Sequence, residues 1–302
     1  MLFRRLAIVF TVVLVQTAPL AVAQVTLKPK IVEGATYKAR QTQNVTQSLG
    51  LNGMNIETKA DVAMTSHTAI GKRDAEKKLS YTTTFDSILA DLNVPGGKIK
   101  FDSANPDAKS ENPNADMVLD AFRKLKDTAL TITLGKDNQI ASIEGIKEGS
   151  GLAEEDLKNN HKQNIDRLPS DPVKQGDTWE RTEKMDLGQG QFFVIKRKYE
   201  YAGTAPKFPT VKDSPKLDKI TATDLTVEYK VKEAGAIPIK VNESDLKVAS
   251  SKYTFLFDRE LGRMVDEQGE LQVKGTLKLS IMGTALDGTL DLKIETRNQE
   301  VE

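Results

Sequence analysis

The 302-residue chain contains no cysteine. Disulfides, thiolate metal ligands and a lipidated N-terminal cysteine are therefore excluded, and the core must carry the stability unaided. Histidine is almost as scarce, with His67 and His161 alone, so the usual zinc ligand sets cannot be assembled. Neither sign of charge is in excess: 43 Lys and Arg balance 43 Asp and Glu, and no block of one sign occurs. A nucleic-acid binder needs a basic face to neutralise phosphates, and this composition supplies none. Beyond the first twenty-odd residues, no apolar run approaches the ~20 residues that span a bilayer as a helix.

Catalytic patterns are missing as well. There is no Gly-x-Ser-x-Gly elbow. Ser66 and His67 are neighbours on one predicted strand, so their side chains point to opposite faces and cannot pair. Gly149-Ser-Gly151 and Gly188-Gln-Gly190 are too short to cradle a phosphate. No spacing singles out two of the 43 acids as a hydrolytic pair, and the alternating acids of an EF-hand are absent. His67 falls on a polar strand face and His161 in a charged helix, so both read as solvated. The expectation is a protein that is not an enzyme, with no cofactor and no metal.

What is present begins with a leader. Arg4 and Arg5 precede an apolar run from Leu6 to Val15, and Ala21-Val22-Ala23 offers a small-x-small cleavage pattern before Gln24. Residues 1–23 read as a secretory signal peptide, implying a periplasmic or secreted protein. The rival reading is an uncleaved anchor, against which Gln16, Thr17 and Pro19 interrupt the run. Without the leader the charge balance is −2, and no transmembrane anchor remains.

Residues 24–302 are dominated by period-2 alternation, the mark of strands with one buried face. Met54, Ile56, Thr58, Ala60, Val62 and Met64 alternate with Asn55, Glu57, Lys59 and Asp61. The pattern recurs at Leu79–Phe85, Leu130–Leu134, Leu225–Val231, Tyr253–Phe257, Leu271–Ile281 and Leu290–Ile294. Turns are predicted at Pro95-Gly-Gly97, Gly135–Asn138, Asp258–Gly262 and, most clearly, Asp287-Gly288. Two stretches switch to helical period. One runs over 114–128, capped by Asn114, with Met117 or Val118, Ala121 or Phe122, and Leu125 on its apolar stripe. The other runs over 152–166, with acids in its first turn and Pro169 beyond its end. Residues 105–114 and the Pro-rich 205–215 read as loops.

The fold class is thus mainly β (α+β): a curved antiparallel sheet or half-barrel with a few covering helices. An echo between Gly34-Ala-Thr-Tyr37 and Gly176-Asp-Thr-Trp179 leaves two organisations open. One is a single β-rich domain over 24–302; the other is two pseudo-symmetric halves, 25–168 and 171–302.

The most suggestive row is Phe193, Ile195, Arg197, Tyr199 and Tyr201 on one face of a strand, with Lys196, Lys198 and Glu200 on the other. An arginine in an apolar row snorkels to an edge, pairs with a carboxylate or lines a cavity opening. These five are the candidate ligand-binding residues. Trp179 reads as packing.

The Gly34-x-x-Tyr37 strand, the triplets Phe85-Asp-Ser87 and Phe101-Asp-Ser103, and the stretch Leu168-Pro-Ser-Asp-Pro-Val-Lys-Gln-Gly-Asp-Thr-Trp179 resemble a family of exported bacterial β-rich proteins with no assigned activity. The resemblance implies a curved sheet similar to that of periplasmic carriers of lipoproteins and lipids, and brings no catalytic residues with it. The functional expectation is an exported binding protein holding an apolar ligand, such as a lipid, or a lipidated partner in a half-barrel cavity. The alternative is a structural or interaction protein of the cell envelope that contacts other envelope proteins. A carboxylate hydrolase ranks third.

Overall fold

The computed structural model describes residues 24–107, 115–188, 190–207, 215–231, 239–281 and 284–301. The leader read at 1–23, the cap at Asn114 and most of the 105–114 and 205–215 loops lie outside them. The alternating segments form twelve strands: β1 (Thr36–Leu51), β2 (Met54–Ile70), β3 (Leu79–Val94), β4 (Gly97–Asp102), β5 (Ala129–Leu134), β6 (Ile140–Glu144), β7 (Thr178–Gly188), β8 (Gln191–Pro206), β9 (Lys216–Val231), β10 (Ile239–Asp258), β11 (Arg263–Ile281) and β12 (Thr284–Val301). Among the described residues two helices interrupt them, α1 (Ala115–Lys126) and α2 (Glu154–Asp166), within a few residues of the predicted spans.

All strands belong to one open antiparallel sheet in the order β6-β5-β3-β2-β1-β12-β11-β10-β9-β8-β7, with β4 beside β3. The chain therefore starts at the middle of the sheet, meanders to one edge, crosses to the other edge through α2, and meanders back. β1 and β12 meet along their lengths, from Lys38–Val301 to Leu51–Gly288. That pairing joins the segments 25–168 and 171–302 side by side.

Strands of 16 to 20 residues exceed the usual five or six, and long twisted strands must coil. Register shifts interrupt β10 against β11 at Val241/Glu243, Val248/Ser250 and Leu256/Phe257, and β8 against β9 at Lys196/Arg197 and Tyr201/Gly203. Each inserts a bend. The concave face carries Phe193, Ile195, Tyr199, Ile220, Phe255, Leu271, Val273, Leu290 and Ile294, all buried in one cluster.

The helices cover the rest of that face. α1 lays Ala115, Leu119, Val118, Phe122 and Leu125 on Ile88, Ala90, Ile99 and Phe101, and Phe122 stacks on Phe101 at 5.3 Å. Met117, the other reading of its stripe, is exposed. α2 has no fully buried residue. It touches both edges of the sheet: Leu157 packs with the β5–β6 cluster, and Gln163 bonds to β7. A 13-residue helix is ~20 Å long, so the edges have curled to within that span.

One predicted turn is corrected. Asp287-Gly288 lies inside β12, paired with Lys278 and Leu277, and the β11–β12 pairing continues to Ile281–Thr284. Gly288 serves close approach instead: a Cβ there would stand 3.2 Å from the Gly50 carbonyl oxygen. The tight Asn-Gly turn is at Asn52-Gly53, with φ of 47° and 83°, between the paired Leu51 and Met54. The other three predicted turns stand where expected.

Candidate functional site

The concave face opens into a cavity of about 510 Å³ at one end of the sheet. Its apolar wall comes from elements far apart in the chain: Tyr37 and Ala39 of β1, Ile70 of β2, Tyr81 of β3, Leu134 of β5, and Phe257, Met264 and Val265 around the β10–β11 turn. Ile165 of α2 and Leu168 close one side, and the N-terminal segment 28–32 closes another. Register explains the convergence. Tyr37 lies opposite Thr68, two residues from Ile70 on the same face of β2, and Ile70 faces Tyr81. The neighbouring outward residues, Lys38, His67 and Asp86, form a surface cluster in which His67 Nδ1 and Asp86 Oδ1 are 2.6 Å apart.

The N-terminal segment is fixed by backbone bonds rather than draped over the opening. Val25 and Val173 exchange N–H···O bonds of 2.8 and 2.9 Å, and Lys30 N–H donates to the Gly262 carbonyl at 2.9 Å. Leu27 is buried between them in the core. Gly262 has φ +65°, and a Cβ there would lie 2.4 Å from the Lys30 nitrogen, so only glycine allows the segment to dock at this turn.

α2 is held by side chains meeting backbone. The Gln163 amide donates to the Lys184 carbonyl at 3.2 Å and accepts from its N–H, taking the place of a further strand beside the free edge of β7. Lys184 also pairs with Asp156 at 3.6 Å, and His161 Nε2 bonds the Asn138 carbonyl at 2.8 Å. The chain leaving α2 rests on the concave face of β7. Trp179 Nε1 donates to the Arg167 carbonyl at 2.7 Å, and Arg181 donates to the carbonyls of Asp166 and Leu168 at 2.5 and 3.1 Å. The Leu168–Trp179 stretch is thus the corner joining α2 to the second edge.

Behind the cavity lies a buried ionic network. Arg167 lines the cavity, pairs with Glu267 at 3.1 Å, approaches Glu183 at 4.0 Å, and sits 5.0 Å over the Phe255 ring. Glu183 accepts from Arg197 at 2.9 Å and from the Tyr199 hydroxyl. Arg197 also donates to Asp224 at 2.5 Å and lies 3.9 Å over Tyr253. Burial alone would pull the Arg197 pKa down, but Tyr253, Glu183 and Asp224 outweigh it and the group stays charged. Burial pushes the phenols of Tyr199 and Tyr253 well above their ordinary range.

The five sequence-selected residues sit in this layer. Phe193, Ile195, Arg197, Tyr199 and Tyr201 share the concave face of β8, and all are buried. Arg197 takes the carboxylate-paired option. Tyr201 donates to Asp218 at 2.7 Å, and burial pushes its phenol up to about 12. Trp179 packs, stacked on Tyr199 at 5.6 Å. None of the five is among the residues lining the cavity.

Sequence reasoning singled out no part of the segment 28–32 and did not bring Tyr37, Tyr81 and Ile165 together. Their strands and helix were legible, but their convergence depends on curvature. Among the described residues no group of three or more His, Asp or Glu is placed to hold a metal, and no helix is long and apolar enough to cross a membrane.

No family model matches the chain, and no curated protein matches it. Solved structures resemble it loosely. Lipovitellin matches over 90% of this chain with 8% identity and a TM-score of 0.42. An outer-membrane channel from Pseudomonas putida F1 matches over 91% of this chain and 98% of its own, with 8% identity and a TM-score of 0.26. The chain spans 26% of the length of the lipovitellin chain. What these comparisons share with the chain is its β-rich character; none assigns it to a family.

Proposed function

We propose that this chain is an exported, non-enzymatic binding protein that holds one apolar small molecule in the concave cavity. The carrying observation is that cavity: about 510 Å³, inside the ~300–1,000 Å³ range of small-molecule sites, walled by aliphatic and aromatic side chains with polar groups around them. Export is supported by the leader pattern of residues 1–23. Residues 24–302 act as a single unit in this reading, supported by the pairing of β1 with β12 across the middle of the sheet. The row Phe193–Tyr201 then forms the packed wall that holds Arg167 and β7 in position, one step removed from the ligand.

Two neighbouring residues test the reading, because they point to opposite faces. Ala39 lines the cavity, whereas Arg40 faces solvent on the convex side. Ala39→Trp fills the space and is expected to weaken binding of N-phenyl-1-naphthylamine at least ~tenfold, while Arg40→Trp leaves it unchanged. Equal probe binding by both folded variants would remove the cavity as the site.

A further inference from the structure

The rim of the cavity adds a head group to that ligand. Of the charged residues that line it, Arg263 is paired with Glu300 at 2.9 Å and Arg167 with Glu267 at 3.1 Å. Asp137 is tied into its own turn, accepting the Gln139 N–H at 3.1 Å. Lys28 and Lys30 remain. Both line the cavity and both are exposed, so they stand at its mouth, and neither has a carboxylate partner among the described residues. The Lys30 ammonium donates to the Arg259 carbonyl at 3.0 Å, which occupies one of its three donors and brings no opposite charge to it.

These two lysines differ from ordinary surface lysines in being carried on a fixed strap. Leu27 is buried beside them, Val25 is bridged to Val173, and the Lys30 backbone is bonded to Gly262. Their backbone positions at the mouth are therefore set before any ligand arrives, which lowers the ordering cost of using them. We propose that the ligand is an anionic amphiphile, with its apolar chain against Tyr37, Ile70, Tyr81, Leu134 and Phe257 and its acid group, carboxylate or phosphate, between Lys28 and Lys30. The inference rests on the cavity being the binding site.

Cis-parinaric acid and its methyl ester carry the same fluorescent chain and differ only in the charged head. The acid is expected to bind about fivefold tighter than the ester at low salt, the scale of two solvent-exposed charge contacts. In Lys28→Gln/Lys30→Gln, and in the unaltered protein at about 0.5 M salt, that preference should disappear through weaker acid binding, with the ester unchanged. Acid and ester binding equally to the unaltered protein would overturn the head-group inference and leave the cavity reading standing. Binding of neither would overturn both. A preference that survives the double substitution would place the acid group elsewhere and sink the role of the two lysines.

Discussion

Removing the Arg197 guanidinium leaves Asp224 buried without its cation and Glu183 with a more distant one. Breaking a buried pair from one side costs about 3–5 kcal/mol, because a desolvated charge is left behind. Arg197→Leu should lower the urea-unfolding free energy by about that amount, and Arg197→Leu/Asp224→Leu should recover a large part of it. A single-variant loss under ~1 kcal/mol would mean the network is solvated. The tyrosines give a pH signature. Burial raises the Tyr81 phenol to about 12, with Tyr37 adding to the effect, and Tyr201 to about 12. Below pH ~10 these groups are neutral in both states. Between there and about 12 the unfolded chain releases protons that the folded chain keeps, so stability falls as pH rises across that window. Phenolate absorbance at 295 nm should therefore lag in the folded protein relative to the denatured chain; superimposed titrations would contradict the burial. The apolar row around Arg197 was legible from alternation alone. Its partner Asp224 was not, because the 27-residue separation and the shift at Lys196/Arg197 fix that pairing only in the folded sheet.

Helix α2 is the element that touches both edges of the open sheet. Acids in its first turn and Pro169 after its end made its existence readable, but nothing local says that it spans two sheet edges. That follows from the route of the chain: β6 ends at one edge, β7 begins the other, and one short helix connects them. Gln163 substitutes for a neighbouring strand at Lys184, so Gln163→Ala should speed hydrogen exchange of the Lys184 amide by about fivefold, in keeping with loss of a bond worth ~1 kcal/mol. Exchange in β8 and β9 should not change; an unaltered Lys184 amide would show that the edge of β7 is protected by something else. The misread turn has a similar origin. Asp-Gly and Asn-Gly both suit a tight hairpin, and the choice between Asp287-Gly288 and Asn52-Gly53 was made by strand register. Gly288 is needed where the backbones of β12 and β1 approach closely, a demand that a single sequence does not display.

For the whole molecule, the antiparallel sheet, its helical cover and its polar convex face were present in the alternation pattern. The cavity was foreseen only as the hollow of an expected half-barrel with few covering helices. Its location was out of reach, since it depends on β1 returning beside β12, on bulges that curve the strands, and on a docked N-terminal segment without periodic signal. The central claim is that this concavity is occupied in use. The most direct measurement is native mass spectrometry, with organic extraction, of the protein isolated from the organism that makes it, alongside the Ala39→Trp variant expressed there. The account predicts a near-stoichiometric adduct of one hydrophobic small molecule on the unaltered chain and its loss from the variant. A bare mass and an empty extract from protein that also fails to take up N-phenyl-1-naphthylamine would contradict it.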